Sequence, residues 1–92
     1  MIVSFRNSDA KTLFSGASVR KFVNIRAVAE RELQMLHRAV RLDGLRIPPP
    51  NRLEKLKGDR KGQWSIRIND QWRICFQFDD GDASEVEIVL YH

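Results

Sequence analysis

The sequence predicts an α+β fold in which a small antiparallel sheet of about four strands packs against two N-terminal helices. Apolar and polar residues alternate over residues 64–69 and again over residues 72–78, which is the side-chain period of a half-buried strand. Between Ile25 and Val40 the apolar residues recur instead at steps of three and four, which is the period of an amphipathic helix. The 92 residues suit a single domain, 1–92, with a modest core.

The N-terminal segment predicts a strand followed by a short helix. Residues 2–5 are expected to form the first strand, with Val3 and Phe5 facing inward. The helix is expected to begin at Ser8, because a serine hydroxyl can accept a hydrogen bond from the free N–H groups of a first turn. It is expected to end near Gly16.

The second helix is predicted to begin at Asn24 and to run for about five turns, until Gly44 ends it. Its arginines, including Arg38, fall largely on the solvent side. His37 has no companion at metal-ligand spacing and is expected to be an ordinary surface residue. Residues 47–50 include three consecutive prolines, so they cannot continue a helix and predict an extended segment that leads back to the sheet.

The two alternating runs near the C terminus predict a hairpin with the three-residue loop 69–71. An odd loop keeps both apolar sets on one face, because a one-residue slip would turn every side chain to the other face. This register places Arg67 opposite Arg73. Like charges across a ladder are unfavourable, so the pair indicates either an anion between the two guanidiniums or two solvated arginines.

Residues 85–92 predict the last strand, joined to the hairpin by a turn at residues 79–82. The three aspartates of this turn lack the rest of a calcium loop, and no metal is expected. If Phe78 pairs with Val86, the same register places Tyr91 beside Arg73. A phenol beside a guanidinium is suited to proton transfer and to the stabilisation of an anion.

The charge distribution favours a polyanionic partner. Residues 1–73 carry 16 basic and 7 acidic groups, whereas residues 74–92 carry 5 acidic and no basic groups. Nucleic acid is a better partner for this basic region than a membrane, because no basic helix with a strongly apolar face is present. Cys75 is the only cysteine, which suits a reducing compartment, and no signal or membrane-spanning segment is apparent. The chain is expected to be cytoplasmic.

One long motif resembles a known family. The run L-K-G-D-R-K-G-Q-W-S-I-R-I-N-D-Q-W-R-I-C-F, with the terminal pair Y-H, is similar to the HigB branch of the RelE/ParE toxin superfamily, also described as plasmid maintenance system killer proteins. The resemblance implies a type II toxin that needs no cofactor and cuts messenger RNA on the ribosome. It also implies a cognate helix-turn-helix antitoxin of the HigA type, with operator DNA bound only through the toxin–antitoxin complex.

The resemblance also implies roles for individual residues. The basic positions of the active site fall on Lys57 and Arg73, and the acid/base positions fall on Tyr91 and His92. Further RNA contacts are expected from the basic residues nearby, which are Lys55, Arg60, Lys61 and Arg67. The sequence departs from the family in two places: some members have histidine where this chain has Glu54, and aspartate is common where this chain has Leu90.

The reaction implied is metal-independent cleavage, in which the ribose 2′-OH attacks the adjacent phosphate and the 5′-oxygen leaves. It requires a base, an acid and cations around the phosphorus, and the sequence leaves open which of Tyr91 and His92 is the acid. Two alternatives remain at this stage. One is a non-enzymatic gyrase inhibitor resembling the ParE branch. The other is a catalytically weakened module that binds nucleic acid or a partner, because Leu90 leaves His92 without an orienting carboxylate.

Overall fold

The structure is a computed structural model that describes residues 1–90. The described part contains two α-helices and one four-stranded antiparallel sheet whose strands lie in the order in which they occur along the chain. The predicted α+β fold is therefore confirmed. The elements are α1 (Ser8–Phe14), α2 (Arg26–Arg38), β1 (Glu54–Lys55), β2 (Trp64–Arg67), β3 (Trp72–Asp79) and β4 (Asp82–Leu90).

The hydrophobic core lies between the helices and one face of the sheet. Leu33 and Leu36 of α2 are fully buried, as are Ile66 of β2, and Ile74 and Phe76 of β3. Burying each such side chain contributes about 1.5–3 kcal/mol, so these contacts supply the main force that holds the helices on the sheet. Neither helix within residues 1–90 is long and apolar enough to cross a membrane.

The predicted first strand at residues 2–5 is not a strand. Ile2 and Phe5 form only isolated parallel bridges to β4. Between these bridges Glu85 has a φ of 52°, which turns the β4 backbone away from the extended conformation, and its N–H donates to the Ser4 hydroxyl. Ile2 is buried and Val3 is 54% exposed, so the predicted orientation was wrong for Val3, whereas Phe5 is partly buried against the core as predicted.

Helix α1 begins at Ser8, as predicted, but a different residue caps it. Asn7, rather than Ser8, is the cap, and its side-chain oxygen accepts a hydrogen bond of 3.3 Å from the N–H of Ala10. The helix ends at Phe14, close to the predicted stop at Gly16.

Helix α2 is shorter at both ends than predicted. Ile25 precedes its first turn, and no side chain caps it. The helix ends at Arg38 because Ala39 adopts an extended backbone, and Val40, the last member of the predicted apolar stripe, is 80% exposed. The chain then forms a 3₁₀ turn over Leu42–Arg46.

The proline segment is not wholly extended. Pro48 has extended backbone angles, but Pro49–Asn51 forms a further 3₁₀ turn. The buried side-chain amide of Asn51 donates to the carbonyl oxygen of Leu45 at 3.1 Å. This contact folds the segment onto the preceding turn before the chain enters β1.

The predicted hairpin between β2 and β3 is confirmed. Arg67 lies opposite Arg73, and the loop consists of residues 69–71. The side-chain oxygen of Asn69 accepts hydrogen bonds of 2.8 Å from the N–H groups of Gln71 and Trp72, which closes the loop.

The predicted register between β3 and β4 is wrong. β4 has one extra residue between the partners of Cys75 and Gln77, so Arg73 pairs with Val89. Phe78 pairs with Ala83, because the connecting turn contains only Asp80 and Gly81. Both have positive φ angles, 49° and 84°, as tight hairpin turns require. Tyr91 and His92 lie outside the described residues, and so does the predicted contact between Tyr91 and Arg73.

Replacing the α1 cap provides a test of this local structure. We expect Asn7→Ala to lower the free energy of unfolding by about 1 kcal/mol, because the N–H of Ala10 loses its acceptor. Asn7→Ser, which keeps a capping oxygen, and Ser8→Ala should each have a small effect. Urea unfolding followed by circular dichroism measures all three. A larger loss in Ser8→Ala than in Asn7→Ala would identify Ser8 as the cap.

Candidate active site

Arg73 is the most firmly held of the predicted site residues. It lies on β3, on the sheet face opposite the helices, and is only 5% exposed. Its Nε donates to the Ser65 hydroxyl at 2.8 Å, and its Nη2 donates to the carbonyl oxygen of Arg52 at 2.8 Å. A carboxylate oxygen of Glu54 lies 3.8 Å from Nη2. The guanidinium is therefore oriented from β1, β2 and the segment that precedes β1.

Arg67 lies opposite Arg73 on the neighbouring strand but has a different partner. Its Nη2 forms an ion pair with Asp70 in the hairpin loop. Arg73 is directed toward Ser65 and Glu54. The like charges are thus each balanced within the protein. Of the two predicted explanations, solvated arginines do not apply to Arg73, which is buried.

The basic loop after β1 contains both exposed and enclosed charges. Lys57 and Lys61 are exposed on either side of a 3₁₀ turn, Gly58–Arg60. Arg60 points inward, where its Nη1 donates to Glu87 Oε1 at 2.6 Å and to Gln63 Oε1 at 3.1 Å. The hydrogen bond to Glu87 raises the pKa of Arg60 above its ordinary value. Arg60 therefore anchors the loop to β4, and the two lysines carry its accessible charge.

Lys55 contributes another accessible charge near this loop. It is exposed on β1, and its Nζ lies 5.9 Å from the centre of the Trp64 ring. The next residue, Leu56, is 8% exposed and its N–H donates to the Gln63 carbonyl at 2.9 Å. This anchor fixes where the chain leaves β1 and so positions Lys57, which follows it directly.

The structure therefore brings part of the predicted site together. Arg67 and Arg73 pair across neighbouring strands, beside Glu54. The lysines at positions 55, 57 and 61 are exposed on β1 and the loop that follows it. Tyr91 and His92 lie beyond the described residues. Within residues 1–90, no three His, Cys, Asp or Glu side chains come together to hold a metal ion.

Three residues of this region were missed by sequence reasoning. Ser65 holds Arg73, and Glu87 holds Arg60. Glu32 of α2 is 2% exposed, and its Oε1 makes no hydrogen bond within residues 1–90. A signal for Glu32 was present, because it lies three residues after buried Ala29 and directly before buried Leu33, on the apolar side of the helix.

The Glu32 carboxyl has an unusual charge environment. Burial raises its pKa from 4.5 to about 7, although the positive charges of Arg31, Arg73 and Arg67 act in the opposite direction. The group is therefore partly protonated near neutral pH. The charges of Arg67 and Arg73 on the sheet thus influence how readily the Glu32 carboxyl binds its proton.

Comparison with known proteins identifies the family. A family model described as a RelE-like toxin of the type II toxin–antitoxin system HigB matches residues 4–92. This chain belongs to the HigB-like toxins. The motif-based resemblance is therefore confirmed over nearly the whole sequence.

Two curated relatives of this HigB-like toxin have informative names. Toxin HigB-1 of Vibrio cholerae serotype O1 is 51% identical over 53 residues, a match that spans 58% of this chain and only 56% of that relative. Endoribonuclease HigB of Proteus vulgaris is 36% identical over 97 aligned positions that cover the full length of both proteins. The second similarity is lower in identity, but it includes every segment that contributes to the candidate site.

Solved structures support the fold of this HigB-like toxin. The YoeB–YefM complex from Staphylococcus aureus contains a chain with a TM-score of 0.61 and 20% identity, and the similarity covers 100% of this chain and 95% of that one. YafQ from E. coli has a TM-score of 0.63 at 11% identity, covering 98% of this chain and 91% of that one. At these identities the similarity establishes the fold alone.

The raised pKa of Glu32 predicts a pH-dependent stability. A carboxyl that binds its proton more tightly in the folded state stabilises the protein fully below its unfolded pKa of 4.5 and loses that contribution as the pH rises to about 7. The loss should total roughly 3 kcal/mol, because each pKa unit corresponds to about 1.4 kcal/mol. Above pH 7 this contribution should no longer change.

Glu32→Gln should flatten the stability profile between pH 5 and 7, since glutamine resembles the protonated acid. The matched control is Glu30→Gln on the same helix, which removes an ion pair of 2.7 Å with Arg26 at the surface and should keep the slope. Urea unfolding at half-unit pH steps measures both. The same slope in Glu32→Gln and wild type would show that Glu32 is not its source.

Proposed function

We propose that this HigB-like toxin is a cytoplasmic endoribonuclease that cuts messenger RNA on the ribosome and thereby stops translation. The observation that supports this most directly is the buried, pre-oriented guanidinium of Arg73 beside a surface with exposed lysines. The full-length similarity to a protein named Endoribonuclease HigB supports the same reaction type. A gyrase inhibitor that acts by binding alone has no need for a cation held in this way.

The fixed position of Arg73 suits the stabilisation of a phosphorane-like transition state. Charge develops on the phosphate oxygens when the 2′-OH attacks, and a cation that is already oriented stabilises it without reorganising. Because Arg73 is buried, its charge is screened less by water than a surface charge would be. Lys57, exposed on the loop after β1, supplies a second cation that can approach the same phosphate from solvent.

Proton transfer is assigned to the end of the chain and to one nearby carboxylate. Tyr91 and His92 directly follow Leu90, which pairs with Trp72, the neighbour of Arg73. Glu54, half exposed and 3.8 Å from Arg73, occupies the position where some HigB members carry histidine. A carboxylate at that position can accept the 2′-OH proton, which leaves either Tyr91 or His92 to deliver one proton to the departing 5′-oxygen. This scheme requires no metal ion.

RNA binding outside the reacting phosphate is assigned mainly to the lysines. Lys55 and Lys61 are exposed, whereas Arg60 and Arg67 are paired with Glu87 and Asp70. The carboxylates that hold Arg60 and Arg67 by direct hydrogen bonds compete with a phosphate, unlike Glu54, which lies 3.8 Å from Arg73. We therefore rank the two lysines above the two arginines as backbone contacts, with a salt-dependent contribution from each.

The partner proposed for this toxin is an antitoxin. A structural neighbour, YoeB of Staphylococcus aureus, was solved in complex with YefM. By analogy, this chain acts as a single toxin domain and binds a cognate antitoxin. That antitoxin is a helix-turn-helix protein of the HigA type, encoded next to the toxin. Contact with operator DNA would then occur only through the toxin–antitoxin complex.

Replacing Arg73 tests both the activity and the site. Induction of the wild-type chain should halt growth and create new messenger RNA 5′ ends within reading frames. Arg73→Ala should abolish them and lower the single-turnover cleavage rate on ribosomes by about 10²–10³-fold, because the transition state loses a fixed cation. Arg38→Ala removes an exposed arginine of α2 and should be nearly silent. Melting curves establish that both variants fold.

Intact transcripts accompanied by gyrase-dependent DNA breaks would support the ParE-like alternative instead. Equal, small effects of Arg73→Ala and Arg38→Ala on the cleavage rate would remove Arg73 from the active site. Arg73→Lys, which retains the charge but not the planar fork, should give an intermediate rate if orientation as well as charge matters.

The two terminal residues are tested by small changes to their chemistry. Tyr91→Phe removes only a hydroxyl, and deletion of His92 removes the imidazole. Each should lower the cleavage rate by about 10²–10⁴-fold if it transfers a proton, with ribosome binding unchanged. Leu90→Asp should raise the rate, because a carboxylate there can orient His92. Retention of toxicity by both variants would assign the proton transfers elsewhere, with Glu54→Gln as the next variant to assay.

A further inference from the structure

A groove lies beside the C-terminal end of α2, on a part of the molecule that the proposed reaction does not use. It encloses about 810 Å³ between the helix and the following 3₁₀ turn. Its apolar members are Met35, Ala39, Val40 and Leu45. Leu45 is fully buried, so it forms the floor, whereas Val40 is 80% exposed beside it.

The early end of α2 creates this groove. Continuation of the helix would have turned Val40 toward the core with the rest of the apolar stripe, but the extended backbone at Ala39 leaves it outside. A single exposed valine is ordinary on a protein surface. An exposed valine that continues an apolar cavity is the pattern of an interaction site.

Three exposed arginines surround the apolar lining, namely Arg31, Arg38 and Arg41. None of them forms an ion pair with another residue of the described part, 1–90. The one acidic residue of the groove, Asp43, is instead paired with Arg46 at 3.2 Å. The groove therefore combines an apolar lining with three exposed arginines that have no ion-pair partner within residues 1–90.

This combination specifies the chemistry of the occupant. An RNA backbone would use the arginines but would leave Val40 and Met35 exposed to water. A helix with an apolar face flanked by Asp and Glu would cover the apolar lining through residues spaced three and four apart and would pair with the arginines. We propose that the groove binds an acidic amphipathic helix of the antitoxin, a step that rests on the antitoxin partnership proposed above.

The Val40 end of the groove lies away from the candidate active site, so substitutions at that end can be tested separately. The backbone oxygen of Val40 lies next to Gly81, at the turn between β3 and β4. Arg73 lies near the other end of β3, six residues before Asp79, which corresponds to roughly 20 Å along a strand. Substitutions at this end of the groove should therefore leave RNA cleavage by the free toxin unchanged.

The test compares matched double variants in binding to the protein encoded by the adjacent reading frame. Arg38→Glu with Val40→Asp reverses one groove charge and makes its exposed apolar residue polar. Arg20→Glu with Val23→Asp makes the same changes at exposed positions elsewhere; Val23 is 71% exposed. We expect the groove variant to weaken binding by about 30-fold or more and the control by less than about threefold. Both should cleave RNA at the wild-type rate.

Peptides of 20 residues that tile the adjacent-frame protein identify the segment that binds. We expect the peptide with the highest affinity for the wild type to be acidic and to lose affinity for the groove variant. Unchanged binding of the full partner by the groove variant, with normal cleavage, would overturn the groove assignment and leave the proposed function standing. Impaired ribosome-dependent cleavage with unchanged partner binding would overturn it in favour of RNA. Failure of the wild type both to cleave RNA and to bind the partner would overturn the proposed function itself.

Discussion

The contact of the Arg73 guanidinium with the Ser65 hydroxyl and the Arg52 carbonyl determines how the second face of the sheet is organised. It links β3 to β2 and to the segment that leads into β1, at one buried position. A buried cation is tolerated only when hydrogen bonds and a counter-charge replace its water, and here Glu54 and the two acceptors do so. The same contacts that make the charge acceptable to the fold also fix the direction in which it points.

The Arg60–Glu87 pair has a corresponding role at the other side of that face. Arg60 reaches from the basic loop to β4, where Glu87 is nearly buried. Between the two arginine contacts, one row of paired residues crosses three strands, with Ser65 on β2, Cys75 on β3 and Glu87 on β4. The loop that carries the accessible lysines is thus attached to a buried row at the middle of the sheet. A nuclease surface on this chain would consist of exposed lysines attached to a buried, hydrogen-bonded sheet face.

Features that depend on loop length and on the apolar pattern, such as the β2–β3 hairpin, were predicted correctly from the sequence. Predictions failed where the backbone conformation of one or two residues determines the structure. Loop parity was sufficient to place Arg67 opposite Arg73. It was not sufficient to find the partner of Arg73 on β4, which is Val89 rather than the predicted Tyr91. The two-residue turn at Asp80 and Gly81, together with the extra residue in β4, shifts that pairing by two positions. An even shift leaves the same side chains of β4 facing the core near Arg73, and Val86 and Ile88 are buried there. Periodicity likewise could not show that α2 ends before Val40, since the extended backbone of Ala39 has no sequence signal.

The burial of Cys75 has a consequence for how this molecule can be observed. The thiol is fully enclosed in the middle of β3, and burial raises its pKa, so both its inaccessibility and its low thiolate fraction protect it from alkylating reagents. It is also the only cysteine of the sequence. Modification therefore requires β3 to separate from its neighbours, and the labelling rate of the unaltered protein reports how often the sheet that holds Arg73 opens.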